Sequence, residues 1–208
     1  MGISTEQSIM DAAEAEFMEK GFAAAKTTAI ARRAGVTHAM LHYYFRTKEN
    51  LFDQVFRKKV ELLADSIDKA FGGEGAFIEK MRLGVGAHFD FLVENPRLPL
   101  FVLREIVDDP ERRETVQEVL LPVFGRVVGR LQELFDRESA RGNIVPVTAL
   151  EIVLNIVSMN VFAFASLPLS LMLAGKGEGE RAAFLQARKE QIIEQVLARL
   201  TNAKGGAS

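Results

Sequence analysis

The segment 32–48, RRAGVTHAMLHYYFRTK, contains both tyrosines of the 208-residue chain and two of its three histidines. His38 and His42 stand four residues apart, a spacing that can place two metal ligands on one face of a helix. A zinc protease helix needs Glu directly after its first histidine, but this chain has Ala39 there, and the segment contains no Asp or Glu. We therefore predict no metal site. Hydroxyl and imidazole groups can instead hydrogen-bond the base edges and phosphate oxygens of nucleic acid.

The charge of the chain is unevenly distributed around this segment. The net charge is −2, but residues 20–48 contain six Lys and Arg and no acid, so this window carries +6 and the rest of the chain −8. A local basic window is the electrostatic signature of a phosphate-binding surface. An ordinary solvated face is the alternative. The absence of acids over 29 residues, in a chain with 28 of them, argues against it.

The overall composition limits the classes of protein. A hydrophobic content of 48% suffices for a sizeable core, and the lack of cysteine excludes disulfides, thiolate nucleophiles and zinc ribbons. We find no phosphate-binding loop, no Gly-x-Ser-x-Gly and no dinucleotide fingerprint, so we predict neither an enzyme nor a cofactor. The N-terminus lacks a basic region followed by an apolar run. No secretory signal is therefore expected, and a cytoplasmic location is predicted.

Helical periodicity continues along almost the whole chain, and strand alternation is nowhere sustained. Glycine and proline at short intervals separate the helices. The predicted fold is all-α, with an N-terminal three-helix helix-turn-helix domain at 3–63 and a larger helical domain at 64–203. About nine helices are predicted, at 5–21, 28–34, 37–45, 48–71, 76–94, 98–108, 111–141, 147–173 and 179–202.

Residues 152–174 form a 23-residue segment without charge, long enough to span a bilayer. Scattered Asn and Ser make it less apolar, and Pro168 would interrupt the helix. The part before Pro168 would be about 24 Å long, short of a ~30 Å hydrocarbon core. We predict a helix buried by its own core on one side and by a second subunit on the other, with no membrane insertion.

The spacing of residues 27–45 meets the requirements of a helix-turn-helix. Ala31 is small enough for two helices to cross closely, and Gly35 tolerates the positive φ of the turn. Leu41 returns an apolar side chain to the core, where Ile30, Val36 and Phe45 complete the cluster. Each feature alone is weak, but their joint spacing is specific.

The second helix of this motif, 37–45, would present a polar and aromatic face to the outside. In such motifs the N-terminal part of the second helix enters the major groove of DNA. Lys48, at the start of the next helix, and Lys26, Thr27 and Thr28, at the start of the first motif helix, lie where backbone amides favour phosphate. The predicted outward residues are Thr37, His38, Met40, His42, Tyr43 and Tyr44.

The segment 21–52, GFAAAKTTAIARRAGVTHAMLHYYFRTKENLF, resembles the DNA-binding domain of the TetR family of bacterial transcriptional regulators. That family's pattern runs G-[FY], then I-A-x-x-A-G-V-[ST]-x-G-x-[LI]-Y-x-[YH]-F-x-[ST]-K-E-x-L. This sequence departs from it at three positions. Ala25 replaces a capping Thr or Ser, Ala39 replaces a glycine, and His42 replaces the first tyrosine. The matching residues are Gly21, Phe22, Ile30, Ala31, Ala34, Gly35, Val36, Thr37, Leu41, Tyr44, Phe45, Thr47, Lys48, Glu49 and Leu51.

The resemblance implies a role for each residue of the DNA-binding face. Phosphate contacts are implied for Thr27, Thr28, Thr37, Tyr44 and Lys48. Base contacts are implied for His38, Ala39, Met40 and Tyr43, while His42 could make either kind.

The resemblance implies that the larger domain dimerises and binds an effector. Dimerisation is expected through 147–173 and 179–202, packed with their mates as a four-helix bundle. An effector would be small and mainly apolar, with His88, Arg104, Asn155 and Asn160 as possible polar anchors. Ordinary core packing is the alternative for these residues. The expected pocket residues are His88, Phe89, Leu92, Phe101, Arg104, Phe124, Asn155 and Met159.

Two functions follow from the sequence. The first is a ligand-responsive, homodimeric transcriptional regulator, expected to be a repressor, that reads a palindromic operator through 37–45 and is released by its effector. The second is an all-α ligand-binding or scaffold protein whose degenerate helix-turn-helix no longer binds DNA. The departures at Ala25, Ala39 and His42 are the only support for the second.

Overall fold

The computed structural model describes residues 4–72, 75–108 and 110–201. Within these ranges the chain forms ten α-helices and one short 3-10 helix, and no strand, so the predicted all-α class is confirmed. The outer limits predicted for the two domains, residues 3 and 203, and position 202 of the last predicted helix lie outside the described residues. The helices are α1 (Thr5–Ala24), α2 (Thr27–Arg33), α3 (His38–Phe45), α4 (Lys48–Gly72), α5 (Phe77–Glu94), α6 (Leu98–Asp108), α7 (Pro110–Ala140), α8 (Ala149–Ala165), α9 (Leu167–Leu173), η1 (Glu178–Glu180) and α10 (Arg181–Thr201).

The chain divides into two compact units. The first contains the chain up to Leu62 together with Leu100–Leu121, and the second contains Leu63–Pro99 together with the chain from Pro122 onward. Helices α4 and α7 therefore each contribute to both units. The sequence-based division at 63/64 remains a prediction, and it did not associate 100–121 with the N-terminal helices.

The first unit is built around aromatic rings contributed by α1, α4 and α6. Ser4 caps α1 by accepting a hydrogen bond from the Gln7 N–H at 3.1 Å, and Gly21 leaves the helical conformation with φ 76° and ψ 166°. The ring of Phe52 lies 5.4 Å from that of Phe17 and 5.6 Å from that of Phe101. This cluster ties α6 to the N-terminal helices.

The second unit is a helical assembly in which α10 packs against α5 and α8. Its core contains Met81, Ile152, Ile192 and Leu200, each no more than 1% exposed. The Val145 N–H donates to the carbonyl of Leu200 at 2.9 Å, which ties the loop before α8 to the end of α10.

The predicted helix at 147–173 is two helices, α8 and α9, whose axes differ by 75°. The break falls at Ser166, where the backbone leaves the helical region and the side-chain hydroxyl donates to the Phe162 carbonyl at 2.7 Å. Pro168 lies in the first turn of α9, where its missing N–H costs no hydrogen bond. Of the helices described, none alone is long and apolar enough to cross a membrane. The bent pair α8–α9 meets that test only by length and composition.

Candidate nucleic-acid interface

The turn between α2 and α3 has the geometry that the sequence predicted. Gly35 has φ 70°, and the Val36 N–H donates to the Ala31 carbonyl at 3.0 Å, which is the Schellman arrangement at a helix end. Thr37 then caps α3 by accepting a hydrogen bond from the Met40 N–H at 3.2 Å. The backbone polar groups of the turn are thus satisfied locally, so α3 begins at a defined residue.

The inner face of α3 anchors the helix in the first unit. Leu41 and Phe45 are each 1% exposed, Ile30 is fully buried and Ala31 is 3% exposed. Val36 is only half-buried, so it contributes less to this cluster than predicted. The anchored positions are four residues apart on α3, which leaves the opposite face of the helix outside the core.

The outer face of α3 carries the residues predicted to contact DNA. Tyr43 is 72% exposed, Tyr44 41% and Met40 40%. Thr37, His38, Ala39 and His42 are exposed as well. The structure therefore brings these seven residues together on one accessible surface, the α3 face.

Thr27 contacts His38 of the α3 face. Its hydroxyl lies 3.0 Å from Nε2 of His38, and the His38 ring packs edge-on against that of His42, with 5.4 Å between centroids. Thr27 is half-buried, whereas Lys26 and Thr28 beside it are exposed. Lys26 is the N-cap of α2 and makes no side-chain cap, as expected once Ala25 replaces a capping residue. The described residues contain no group of three His, Asp or Glu that could hold a metal ion.

Lys48 is placed differently from the sequence-based expectation. Its ammonium donates to the carbonyls of Phe22 at 2.8 Å and Ala25 at 3.1 Å, with the Ala23 carbonyl at 3.4 Å, and lies 4.3 Å from the centroid of the Phe22 ring. The ammonium that was expected to bind phosphate is thus bound to three carbonyls and to the face of a ring. A phosphate contact from this residue stays a prediction. Because the ammonium is already occupied, we assign that contact to the backbone N–H of Lys48.

Arg46 is a residue of this surface that the sequence analysis counted as charge but assigned no role. It is the only non-glycine residue of the described ranges with positive φ, 61° with ψ −58°. The Thr47 N–H donates to the Phe45 carbonyl at 2.6 Å, so Arg46 is the centre of a γ-turn, and Nδ2 of Asn50 donates to the same carbonyl at 2.8 Å. The turn directs an exposed guanidinium from the end of α3. The sequence feature that could have identified Arg46 is a basic residue placed between the end of one helix and the N-cap residue of the next.

The basic window is partly neutralised by two acids of α1, one buried and one exposed. Glu16 pairs with Lys20 at 2.7 Å and Glu19 with Arg33 at 3.2 Å. The hydrogen bond from Lys20 lowers the pKa of the Glu16 carboxyl, which keeps it ionised. In the ranges that the structure describes, Lys26, Arg32 and Arg46 make no ion pair. These three cations therefore carry the exposed positive charge of the window.

The second unit contains an apolar cavity of about 50 Å³ between α4, α5, α7 and α8. Of the predicted pocket residues, only His88 lines it. Its lining residues are Ile67, Phe71, Met81, Gly84, Val85, His88, Val127, Leu131, Val153, Ile156 and Val157.

The structure separates the other predicted pocket residues from this cavity. Phe101 and Arg104 belong to the first unit, where Phe101 packs against Phe52. Phe89 packs on Phe164 with 5.0 Å between ring centroids, and Leu92 is 3% exposed. Asn155 is exposed, and Phe124 and Met159 are half-buried without lining the cavity. Aromatic content alone could not distinguish core from pocket.

Asn160 is the polar residue buried beside this cavity. It is fully buried, and its Nδ2 lies 2.7 Å from Nδ1 of His88, which is 7% exposed. Burial lowers the pKa of His88 to about 4, so the ring is neutral at pH 7. No hydrogen-bond partner for Oδ1 of Asn160 exists among the described residues.

The fold and the α3 face define an all-α protein with an N-terminal helix-turn-helix. Residues 9–55 match the model of the bacterial regulatory proteins of the tetR family. Over this segment, which contains α2 and α3, the chain is similar to that family.

Three proteins illustrate the similarity. The fatty acid metabolism regulator protein of Bacillus subtilis is 25% identical over 126 residues, covering 60% of this chain and 65% of that protein. The transcriptional activator FasR of Mycolicibacterium smegmatis is 31% identical over 84 residues, 40% of this chain and 38% of FasR. The crystal structure of FadR from Bacillus subtilis in complex with stearoyl-CoA has a TM-score of 0.71 at 20% identity, and covers 92% of this chain and 97% of FadR. That structural likeness shows the fold alone.

The chain spans less than two thirds of the length of the curated relatives it matches, 65% of the first and 38% of FasR. The match to the family model is confined to residues 9–55, which contain the α3 face.

Proposed function

We propose that this protein is a DNA-binding transcription regulator that reads duplex DNA through the α3 face. The observation that carries the proposal is the division of α3 into an inner face, where Leu41 and Phe45 are each 1% exposed, and an outer face, where Tyr43 is 72% exposed. A helix fixed in this way can enter the major groove without losing its own packing.

The contacts divide into two kinds. His38, Ala39, Met40 and Tyr43 would meet base edges, because they lie on the outer face of α3 or in its first turn. The phosphate contacts would come from the flanks of that face and fix the register of the protein on DNA. The proposed flanking residues are Lys26, Thr27, Thr28, Thr37, Tyr44 and Lys48, with Arg46 added by the structure and His42 able to make either contact.

A homodimer is proposed because one α3 face makes too few contacts for a specific site. In the second unit, Leu154 is 50% exposed and Phe162 67% on α8, beside a groove of about 480 Å³ between α8, α9 and α10. A second copy would cover this apolar surface. Two-fold pairing would then present two α3 faces to the half-sites of a palindromic operator.

A mainly apolar small molecule is proposed as the effector, and the cavity of the second unit as its site. FadR from Bacillus subtilis has been crystallised with stearoyl-CoA, which carries a long apolar chain. Helix α4 supplies Ile67 and Phe71 to the cavity and begins at Lys48. Displacement of α4 by the effector would favour the conformation that does not bind DNA. The expected action is repression. The relative FasR is an activator, so a reporter assay must decide the sign.

Salt dependence of duplex binding tests the DNA-binding proposal. A duplex selected from a random pool is titrated at increasing KCl, and the logarithm of the binding constant should fall linearly with that of the salt concentration. Arg46→Ala should lower the slope by about one, because one phosphate contact is lost. Arg137→Ala, an exposed arginine of α7, is the matched control and should leave the slope unchanged. A flat response of the unmodified protein would refute DNA binding and favour the ligand-binding scaffold.

A further inference from the structure

The polar pair beside the cavity lies on the same helix face as the cavity lining. Val153, Ile156 and Val157 of α8 line the cavity, and Asn160 follows them by seven, four and three residues. These spacings place all four on one face of the helix. Asn160 does not itself line the cavity, so an occupant would have to extend by one helical turn, about 5.4 Å, to meet its carboxamide.

The hydrogen-bonding roles of the pair follow from its geometry. Nδ2 of Asn160 can only donate, so Nδ1 of His88, 2.7 Å away, accepts and the ring carries its proton on Nε2. Oδ1 of Asn160 is then a buried acceptor that no described residue satisfies. Leaving such a group unpaired in an apolar core is costly, so a ligand that donates to it gains affinity.

The same surroundings disfavour a charged ligand group. The lining side chains are apolar except for His88, and no Lys or Arg is among them. A carboxylate placed here would lose its hydration without gaining a counter-ion.

We propose that the cavity takes an uncharged, apolar ligand that carries a hydrogen-bond donor, such as a hydroxyl group, and donates it to Oδ1 of Asn160. This inference deepens the proposed function, since the same site is the proposed effector site. It names the class of effector: a neutral alcohol or amide with an apolar body, in preference to a fatty acid anion or a ligand that only accepts hydrogen bonds.

The cavity can enlarge at one wall. The ring of Phe71 packs so closely on Gly84 that a Cβ added at Gly84 would overlap it. Phe71 is 9% exposed and lies in the last turns of α4, so it is not enclosed on every side. Rotation of this ring would add to the cavity the volume that the ring now fills. Because Phe71 belongs to α4, binding of a ligand in the cavity would then displace α4.

Three probes of nearly equal size test the inference: 1-octanol, 2-octanone and octanoate at pH 7.5. Thermal shift and isothermal calorimetry of the full chain measure their binding without DNA. 1-Octanol should bind at least about tenfold more tightly than the ketone, which cannot donate, and than the carboxylate, which is charged. Equal or tighter binding of 2-octanone or octanoate, or no binding of any probe, would overturn the inference.

Asn160→Leu removes the acceptor at nearly constant volume. It should weaken 1-octanol about tenfold and leave 2-octanone within about twofold. Asn155→Leu places the same change at an exposed position of α8 and should alter neither. Unchanged 1-octanol binding by a folded Asn160→Leu variant contradicts the inference. If the variant does not fold, the ranking of the three probes on the unmodified protein still decides.

The selected duplex separates this inference from the proposed function. 1-Octanol that binds the protein but leaves duplex affinity unchanged supports the ligand class and contradicts the proposed release of DNA. Release of the duplex by 2-octanone and octanoate as readily as by 1-octanol supports an apolar effector and contradicts the donor requirement.

Discussion

At the scale of single residues, Lys48 holds the end of α1 through the carbonyls of Phe22, Ala23 and Ala25. Lys48→Met keeps the apolar stem but removes the ammonium, and it should lower the free energy of unfolding by about 1–3 kcal/mol because these carbonyls lose a charged donor. Urea unfolding measures the change. Lys26→Met, at an exposed position without an ion pair, should remain within about 0.5 kcal/mol. If Lys48→Met kept full stability but lowered the slope of log binding constant against log salt concentration by one, the ammonium would instead contact phosphate.

His88 should make the stability of the protein sensitive to acid. Its pKa is about 4 when folded and 6.5 in a solvated histidine, so below pH 6.5 the unfolded chain binds the extra proton first. Stability should therefore fall as the pH is lowered from 6.5 towards 4, by up to about 1.4 kcal/mol per pH unit. His88→Phe should flatten this dependence, measured by urea unfolding at pH 7.5, 6 and 5. His42→Phe is the exposed control, and an unchanged slope in His88→Phe would exclude the histidine as its cause.

At the scale of helices, the sequence predicted most ends because local residues determine them. Gly21 and Gly35 adopt the positive φ that ends a helix, and Thr37 caps α3 with its own hydroxyl. The interruption expected at Pro168 falls two residues earlier, at Ser166, because Pro168 is tolerated in the first turn of α9 and the Ser166–Phe162 hydrogen bond closes the end of α8. Local patterns predict a helix end when the capping group is adjacent.

The two candidate sites also differ in how far the sequence alone could predict them. The α3 face was predictable because its residues are neighbours on one short helix. The His88–Asn160 pair joins residues 72 positions apart, so no local pattern reveals it. Phe101 looked like a pocket residue by its type, but its partner is Phe52 of the first unit. Pairings across helices are set by packing, which a single sequence does not display.

Helix α6 should support the α3 face through Glu105. This residue is 6% exposed, and its Oε1 accepts from the Phe22 N–H at 3.0 Å, while the ammonium of Lys48 donates to the Phe22 carbonyl. Glu105→Ala removes the carboxylate that accepts from that N–H, so we expect a stability loss of about 1–3 kcal/mol and weaker duplex binding. Fluorescence anisotropy and urea unfolding measure the two effects. Glu105→Gln retains an acceptor and should recover much of both, whereas equal loss in the two variants would point to the charge.

At the scale of the whole molecule, the proposed dimer depends on the exposed apolar surface of α8. Phe162→Glu places a charge where a second copy would pack, so it should shift the protein to monomer and weaken binding to a palindromic duplex. Sedimentation velocity measures the oligomeric state. Leu83→Glu, at a 52% exposed position of α5, is the control and should remain dimeric. A dimeric Phe162→Glu protein that still binds the palindrome would place the interface elsewhere.

The membership of Leu100–Leu121 in the first unit has a practical consequence for engineering. A fragment ending at Leu62 would lose the Phe101 ring beside Phe52 and the carboxylate that holds Phe22. Transplanting only the N-terminal helices onto another sensor would therefore strip them of part of their own core. A chimera that also carries 100–121 should keep its affinity for an operator, because the first unit is formed by two separate segments of the chain.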